Sequence, residues 1–115
     1  MVPPVFPVFI IFPYSPSSRP LITYILINAT SVDGVYSDDP KKVPGSKKFQ
    51  ALSYDEAIAL ALSKSVGAGP NVFMDLTALN IAKRSNIRIY VINGLELGEY
   101  GKIMKTGKTG GTIIG

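Results

Sequence analysis

The sequence contains neither cysteine nor histidine. These two absences exclude disulfide frameworks, zinc sites, cysteine nucleophiles and histidine-based triads or proton relays. A transmembrane helix needs about 20 consecutive apolar residues, and no such run is present. No basic amino-terminal region precedes an apolar stretch, so no signal peptide is predicted. We therefore expect no membrane partner and take the cytoplasm as the default compartment.

Charge is modest and unevenly placed. Twelve basic and eight acidic residues give a net charge of +4. Seven of the nine lysines form two groups, which are Lys41, Lys42, Lys47 and Lys48, and then Lys102, Lys105 and Lys108. A basic patch can attract nucleic acid, but no RNA-binding signature accompanies these lysines and aromatic residues are not interleaved with them. We expect solvated loops here, and no nucleic-acid partner.

Length and composition favour one small α/β domain. The 115 residues are 46% hydrophobic and 17% charged, which suits a modest folded core. Residues 1–20 differ from the remainder because they carry six of the nine prolines among apolar residues. Proline at this density opposes a regular helix, so we expect an irregular apolar segment and hypothesise that it is not native to the domain. Residues 21–115 are predicted to form the domain itself.

Apolar runs and capping signals predict the order of elements. Residues 21–27 are uncharged and rich in β-branched and aromatic side chains, which is typical of a strand buried on both faces of a parallel sheet. Ser53 and Glu56 have the spacing of a capping box, which predicts a helix from Tyr54 to about Lys64. Asp75 is well placed to cap a second helix. This second helix is predicted at about residues 76–85. The remaining predictions are strands at residues 48–52, 87–92 and 112–114, and a helix at about residues 96–104.

The predicted strand at residues 21–27 is followed by a polar cluster that is the strongest candidate site. Ligands of open α/β sheets bind beyond the carboxyl ends of the strands. Thr30 and Ser31 can donate hydroxyl hydrogens to a phosphate or ribose, Tyr36 can lie against a base, and Asp39 can accept from ribose hydroxyls or an amino group. The Asp33-Gly34 pair is first of all a turn signal, so a purely structural turn is the alternative.

Two further ligand hypotheses are weaker. The carboxylates of Asp33, Asp38 and Asp39 could hold Mg²⁺, but an exposed acidic turn balancing the nearby lysines is the simpler interpretation. The string at residues 107–109, Gly-Lys-Thr, invites comparison with a phosphate-binding loop, yet the glycine required five residues earlier is Lys102. Residues 106–111 are therefore predicted to be a flexible turn before the last strand.

Several strings along the chain form a recognisable series. In order they are NATSVDGVY at 28–36, Asp39-Pro40, LSYDEA at 52–57, MDLTA at 74–78, Ile81-Ala82, NIRI at 86–89, VIN at 91–93 and GTII at 111–114. Together they resemble the carboxyl-terminal half of uridylate (UMP) kinases of the amino-acid-kinase family. The resemblance covers about the last 90 residues. It implies a three-layer αβα fold, represented here by a carboxyl-terminal half with a small, mostly parallel sheet.

The same resemblance implies a function and its limits. This half of the family's fold holds ATP, used with Mg²⁺, and Thr30, Ser31, Tyr36 and Asp39 would contact the nucleotide. Family members are commonly hexamers. The glycine-rich loops, the catalytic lysine and the UMP pocket belong to the other half, so we expect no catalytic residue here, UMP binding only if that half is supplied, and little activity from the chain alone. The alternatives are a lobe of an aspartokinase, a glutamate 5-kinase or an isopentenyl phosphate kinase, or a non-catalytic nucleotide-binding module.

Overall fold

Apolar strands alternate with amphipathic helices in the computed structural model, which describes residues 8–14, 23–37, 44–65 and 76–115. Within these ranges the elements are β1 (Val8–Tyr14), β2 (Thr23–Thr30), β3 (Ala51–Leu52), α1 (Tyr54–Ser65), α2 (Leu76–Ser85), β4 (Arg88–Asn93), α3 (Leu97–Thr106) and β5 (Thr112–Ile114). The predicted helices and the strand at 112–114 are confirmed to within two residues. The strand predicted over 48–52 is shorter, with an isolated bridge between Tyr36 and Lys48 ahead of it.

The five strands form one mixed sheet in the order β1-β2-β4-β5-β3. β2 pairs with β4 in parallel and β3 pairs with β5 in parallel, whereas β1–β2 and β4–β5 are antiparallel. The expectation of a mostly parallel sheet is therefore corrected to an even mixture. An uncharged central strand has the same apolar pattern whichever way its neighbour runs, so the direction of β5 could not be read from its composition.

Helices cover both faces of the sheet, which confirms the three-layer arrangement. Successive side chains of a strand point to opposite faces. Leu26 therefore belongs to the core under α1 and α2, whereas Ile25 and Ile27 belong to the core that includes Ile103 of α3. Tyr90, also in this second core, is fully buried. The central strands β2 and β4 therefore pack against a core on each face of the sheet.

Strand β1 differs from the expectation for residues 1–20. Residues 8–14 were predicted to be irregular, yet all seven pair with β2. The physical reason is that β1 lies at the edge of the sheet, where a proline such as Pro13 can be accommodated because one side of the strand has no ladder to complete. Phe9 and Ile11 are 47% and 59% exposed. The division of the chain at residue 20 stays a prediction.

The first helix begins as the capping box predicts. The Ser53 hydroxyl accepts from the Glu56 amide at 3.0 Å, and the Glu56 carboxylate accepts from the Ser53 amide at 2.9 Å. These bonds satisfy two amides that the helix itself leaves without partners. The backbone hydrogen bond from Ser53 lowers the pKa of the Glu56 carboxyl. Asp75, the predicted cap of the second helix, lies outside the described residues.

Candidate functional site

The carboxyl ends of β2 and β4 meet at one edge of the sheet, where Thr30 pairs with Asn93. The chain turns sharply at both points. The Thr30 hydroxyl donates to the Val32 carbonyl at 2.6 Å and accepts from the Val32 amide at 3.0 Å, while the Gly94 amide donates to the Thr30 carbonyl at 2.9 Å. The loop after β2 is therefore fixed from its first residue, because a hydroxyl and a carbonyl of Thr30 both hold backbone groups.

Asp33 is the centre of a polar cluster in this loop. The Tyr36 hydroxyl donates to Asp33 Oδ1 at 2.7 Å, and Lys48 Nζ donates to Asp33 Oδ2 at 3.3 Å. The hydrogen bond from Tyr36, assisted by Lys48 and opposed by partial burial, lowers the pKa of the Asp33 carboxyl. The same bond raises the pKa of the Tyr36 hydroxyl. Asp33 is thus a carboxylate that is held by a neutral donor and a cation.

The loop that leads into β5 lies beside this cluster and is held by Glu99. The Glu99 carboxylate accepts from the Thr109 hydroxyl at 2.7 Å and from the Gly110 amide at 3.1 Å. The Gly111 amide in turn donates to the Thr109 hydroxyl at 3.0 Å. Residues 106–111 were predicted to be a flexible turn, and these bonds instead hold Thr109, Gly110 and Gly111 in place. Sequence alone gave no sign of this, because nothing in the spacing of Glu99 and Thr109 marks them as partners.

The start of this loop explains why its Gly-Lys-Thr string is not a phosphate-binding loop. Gly107 ends helix α3 in the left-handed conformation, with φ of 70°, and its amide donates to the Ile103 carbonyl at 2.8 Å. Glycine is favoured at this position because a side chain is strained there. The glycine therefore caps the carboxyl end of a helix, whereas a phosphate-binding loop precedes the amino end of one.

Thr112, the first residue of β5, joins the loop after β2 to the segment before β3. It is fully buried, and its hydroxyl accepts from the Val35 amide at 2.8 Å and donates to the Phe49 carbonyl at 2.5 Å. Val35 and Phe49 also bond directly, since the Phe49 amide donates to the Val35 carbonyl at 2.9 Å. The sequence analysis did not single out Thr112. The available signal was a lone hydroxyl residue in an otherwise apolar strand.

A cleft of about 260 Å³ opens between these loops at the end of β4. Its lining residues are Asp33, Ile92, Asn93, Glu96, Glu99, Gly110 and Gly111. The lining exposes about as much apolar as polar surface, and its three carboxylates, Asp33, Glu96 and Glu99, present hydrogen-bond acceptors to the cleft. Such a surface is suited to a ligand that presents hydroxyl or amino donors.

The structure describes three of the four residues that are predicted to contact the nucleotide. Thr30 and Ser31 lie together at the end of β2, where Thr30 is half-buried and Ser31 is exposed. Tyr36 is half-buried, and its hydroxyl is directed to Asp33. Asp39 lies outside the described residues, as does Asp38. Lys48, Glu99 and Thr112 are additional residues of this edge that the sequence analysis missed.

No group of three or more acidic side chains that could hold a metal ion occurs among the described residues. Asp33 is engaged by Tyr36 and Lys48, and that pairing suits an acidic turn balanced by a lysine. In the described helices, no stretch is long and apolar enough to cross a membrane.

A sequence model of the amino acid kinase family matches residues 25–93, which is more than half of the chain and runs from β2 to the end of β4. The chain belongs to the amino acid kinase family. Within this family it is similar to the uridylate kinase of Thermoplasma acidophilum, with 49% identity over 92 residues, which are 80% of this chain and 40% of that protein. The resemblance suggested by the sequence strings is thereby confirmed.

Solved structures of the amino acid kinase family support the same assignment. The uridylate kinase of Archaeoglobus fulgidus superimposes with a TM-score of 0.55 at 38% identity, over 77% of this chain and 38% of that one. The UMP kinase of Bacillus anthracis gives a TM-score of 0.61 at 29% identity, over 76% of this chain and 32% of that one. The chain thus spans about two fifths of the length of the curated relatives it matches.

Proposed function

We propose that the chain is the ATP-binding lobe of a uridylate kinase, an enzyme that transfers a phosphoryl group from ATP to UMP to give ADP and UDP in pyrimidine nucleotide biosynthesis. The observation that carries the proposal is the sequence identity to uridylate kinases, which extends through the polar edge formed by β2 and β4. The relatives named above are all uridylate kinases, so a lobe of an aspartokinase, a glutamate 5-kinase or an isopentenyl phosphate kinase is the second choice.

The chemistry of the described edge is compatible with ATP. The acceptor-rich cleft suits the ribose hydroxyls and the amino group of the base, which are donors. A triphosphate would be repelled by the carboxylates of Glu96 and Glu99, so we place the phosphates toward the hydroxyls of Thr30 and Ser31 instead. To donate to a phosphate, the Thr30 hydroxyl would turn away from the Val32 carbonyl. Tyr36 is proposed to lie against the nucleoside, and Asp39 is proposed as a further acceptor.

We propose that Mg²⁺ accompanies the nucleotide and does not occupy a site made by protein side chains. Mg²⁺ commonly keeps several waters and is bound through substrate phosphates with one or two carboxylates. The Asp33 carboxylate is already engaged by Tyr36 and Lys48, which favours delivery of the ion as the Mg-ATP complex. The ion would supply charge neutralisation of the phosphates during transfer.

Activity of the isolated chain is expected to be low. Phosphoryl transfer depends on positioning both substrates and on stabilising the charge that develops between them. The chain spans about two fifths of its relatives, and we propose that the remainder of the fold supplies the UMP pocket and the catalytic cation. No residue of this chain is assigned a catalytic role.

Assembly and compartment complete the proposal. We propose a homo-oligomer, a hexamer in the family, and a cytoplasmic protein without nucleic-acid partners. Support for self-association comes from β1, an edge strand without charged residues whose Phe9 and Ile11 are about half exposed. Apolar edge strands tend to pair with another chain.

Calorimetric titration of the purified chain with Mg-ATP tests the nucleotide assignment. Replacing Ser31 by Ala should weaken ATP binding by about tenfold, since a hydrogen bond to a charged group contributes about 1.5 kcal/mol. Ser85→Ala is a matched control, because Ser85 is also exposed but lies at the end of α2. Asp39→Ala should also weaken binding. Unchanged affinity in both test variants would contradict the assignment, and substantial UDP formation by the chain alone would contradict the half-enzyme.

A further inference from the structure

Lys48 connects two loops that are distant in sequence. Its Nζ donates to Asp33 Oδ2 at 3.3 Å and to the Gly110 carbonyl at 2.6 Å, a residue 62 positions away. Asp33 and Gly110 both line the cleft at the end of β4. One ammonium group therefore fixes the distance between two walls of that cleft.

The stem of Lys48 is also held. A Cβ atom added to Gly34 would approach Lys48 Cδ to 2.9 Å, which places the lysine stem directly against the Gly34 backbone. The Lys48 side chain is 29% exposed, although lysine is ordinarily among the most exposed residues. The isolated bridge between Tyr36 and Lys48 aligns the backbone of the two residues that grip Asp33. Packing and pairing thus orient the ammonium group before any ligand arrives.

Both main-chain polar groups of Gly110 are hydrogen-bonded to side chains. Lys48 binds its carbonyl, and the Glu99 carboxylate accepts from its amide at 3.1 Å. Other lysines of the described residues make simpler contacts; Lys83, for example, pairs with the exposed Asp55 at 2.6 Å on the surface formed by α1 and α2. In the described part of the chain, ion pairs also involve Lys83 and Lys102, whereas the ammonium group of Lys48 binds both a carboxylate and a main-chain carbonyl of the cleft wall.

We propose that Lys48 is a positioning residue for the nucleotide: it ties the Asp33 loop to Gly110 and so sets the width of the cleft. This inference rests on the proposed function, because the ligand it positions is ATP. Lys48 acts here through Asp33 and Gly110 and makes no contact with the phosphates. The hydrogen bond from Lys48 to the Gly110 carbonyl is present before the nucleotide binds. Without this bond, more conformational entropy would be lost when the cleft becomes ordered around the nucleotide.

Lys48→Met tests the proposal, since methionine keeps an unbranched apolar stem against Gly34 and removes the ammonium group. Mg-ATP affinity is measured for the wild type, for Lys48→Met and Lys48→Gln, and for the control Lys83→Met, which removes a surface ion pair away from the cleft. We expect roughly fivefold weaker binding for both Lys48 variants, as suits a partly exposed ion pair, and no change for Lys83→Met. Lys48→Arg should restore part of the affinity. If Lys48→Met does not fold, the Mg-ATP affinity of Lys48→Gln tests the proposal, and the same roughly fivefold loss is expected.

Two readouts separate positioning from other roles. Amide exchange at Gly110 should be faster in Lys48→Met than in Lys83→Met, and the dependence of ATP affinity on salt should stay as in the wild type. A reduced salt dependence would indicate direct phosphate contact and overturn the assignment. Wild-type affinity in the Lys48 variants, or an equal loss in Lys83→Met, would overturn it as well. If the wild-type chain binds no ATP, the proposed function itself has failed, and the positioning role fails with it.

Discussion

Replacing Gly111 by Ala is expected to destabilise the fold strongly. A Cβ atom at this position would lie 2.1 Å from the Val91 carbonyl oxygen and 3.2 Å from the Asp33 carbonyl oxygen. A carbon and a carbonyl oxygen normally approach no closer than roughly 3.3 Å, so the backbone would have to separate by about 1.2 Å. Val91 is buried in β4 and pairs with neighbours on both sides, so it has little freedom to move.

The expected magnitude follows from this obstruction. Overpacking a core costs roughly 1–3 kcal/mol, and we expect about 3 kcal/mol because the obstacle is main chain. At about 4 °C per kcal/mol for a chain of this size, the unfolding midpoint should fall by about 12 °C. Urea unfolding followed by circular dichroism gives the free energy, and a thermal scan gives the midpoint.

Gly101→Ala is the matched control. Gly101 lies in the exposed interior of α3, and a Cβ atom there would meet nothing within 4 Å. Alanine is a better helix former than glycine, so this variant should be more stable by about 0.5–1 kcal/mol. If Gly111→Ala unfolds within 0.5 kcal/mol of the wild type, the close approach of Gly111 to β4 is refuted.

Two further substitutions test hydroxyl groups that donate to main-chain carbonyls, again by urea unfolding. Thr112→Val keeps the volume but leaves the Val35 amide and the Phe49 carbonyl without this partner, so it should cost about 2 kcal/mol, and Thr112→Ser should cost less. Tyr54→Phe removes a 2.6 Å hydrogen bond to the Ile87 carbonyl and should cost about 1 kcal/mol at neutral pH. Burial raises the pKa of Tyr54 above 10.0, so its contribution is full below pH 10 and is lost as pH rises through the folded value. The phenylalanine variant should therefore lose stability less steeply above pH 10, and an identical alkaline slope would contradict this.

Local signals predicted the elements of this chain well. The start of α1 could be read from Ser53 and Glu56 because the capping box acts over three residues. The polar edge could be placed at Thr30 because a long uncharged strand ends there. Both features depend on chemistry within a few residues, which one sequence contains in full.

Features that depend on distant partners were not predicted. Lys48 binds Gly110 across 62 residues, and Thr112 binds Val35 across 77. Lysine at a loop and threonine in a strand are ordinary in composition, so nothing local marks them. The pairing of β1 was missed for a related reason, since proline density predicts irregular chain unless an edge position is known.

The junction at Thr112 has a consequence for the order of events during synthesis. The loop after β2 is translated early, yet the Val35 amide gains its hydroxyl partner only when Thr112, 77 residues later, has been added. At roughly 5–20 residues per second, the ribosome takes about 4 to 15 s to cover that distance. During this interval the loop after β2 has neither the Thr112 hydroxyl nor β5 to hold it. The candidate site therefore cannot be completed until β5 has been synthesised.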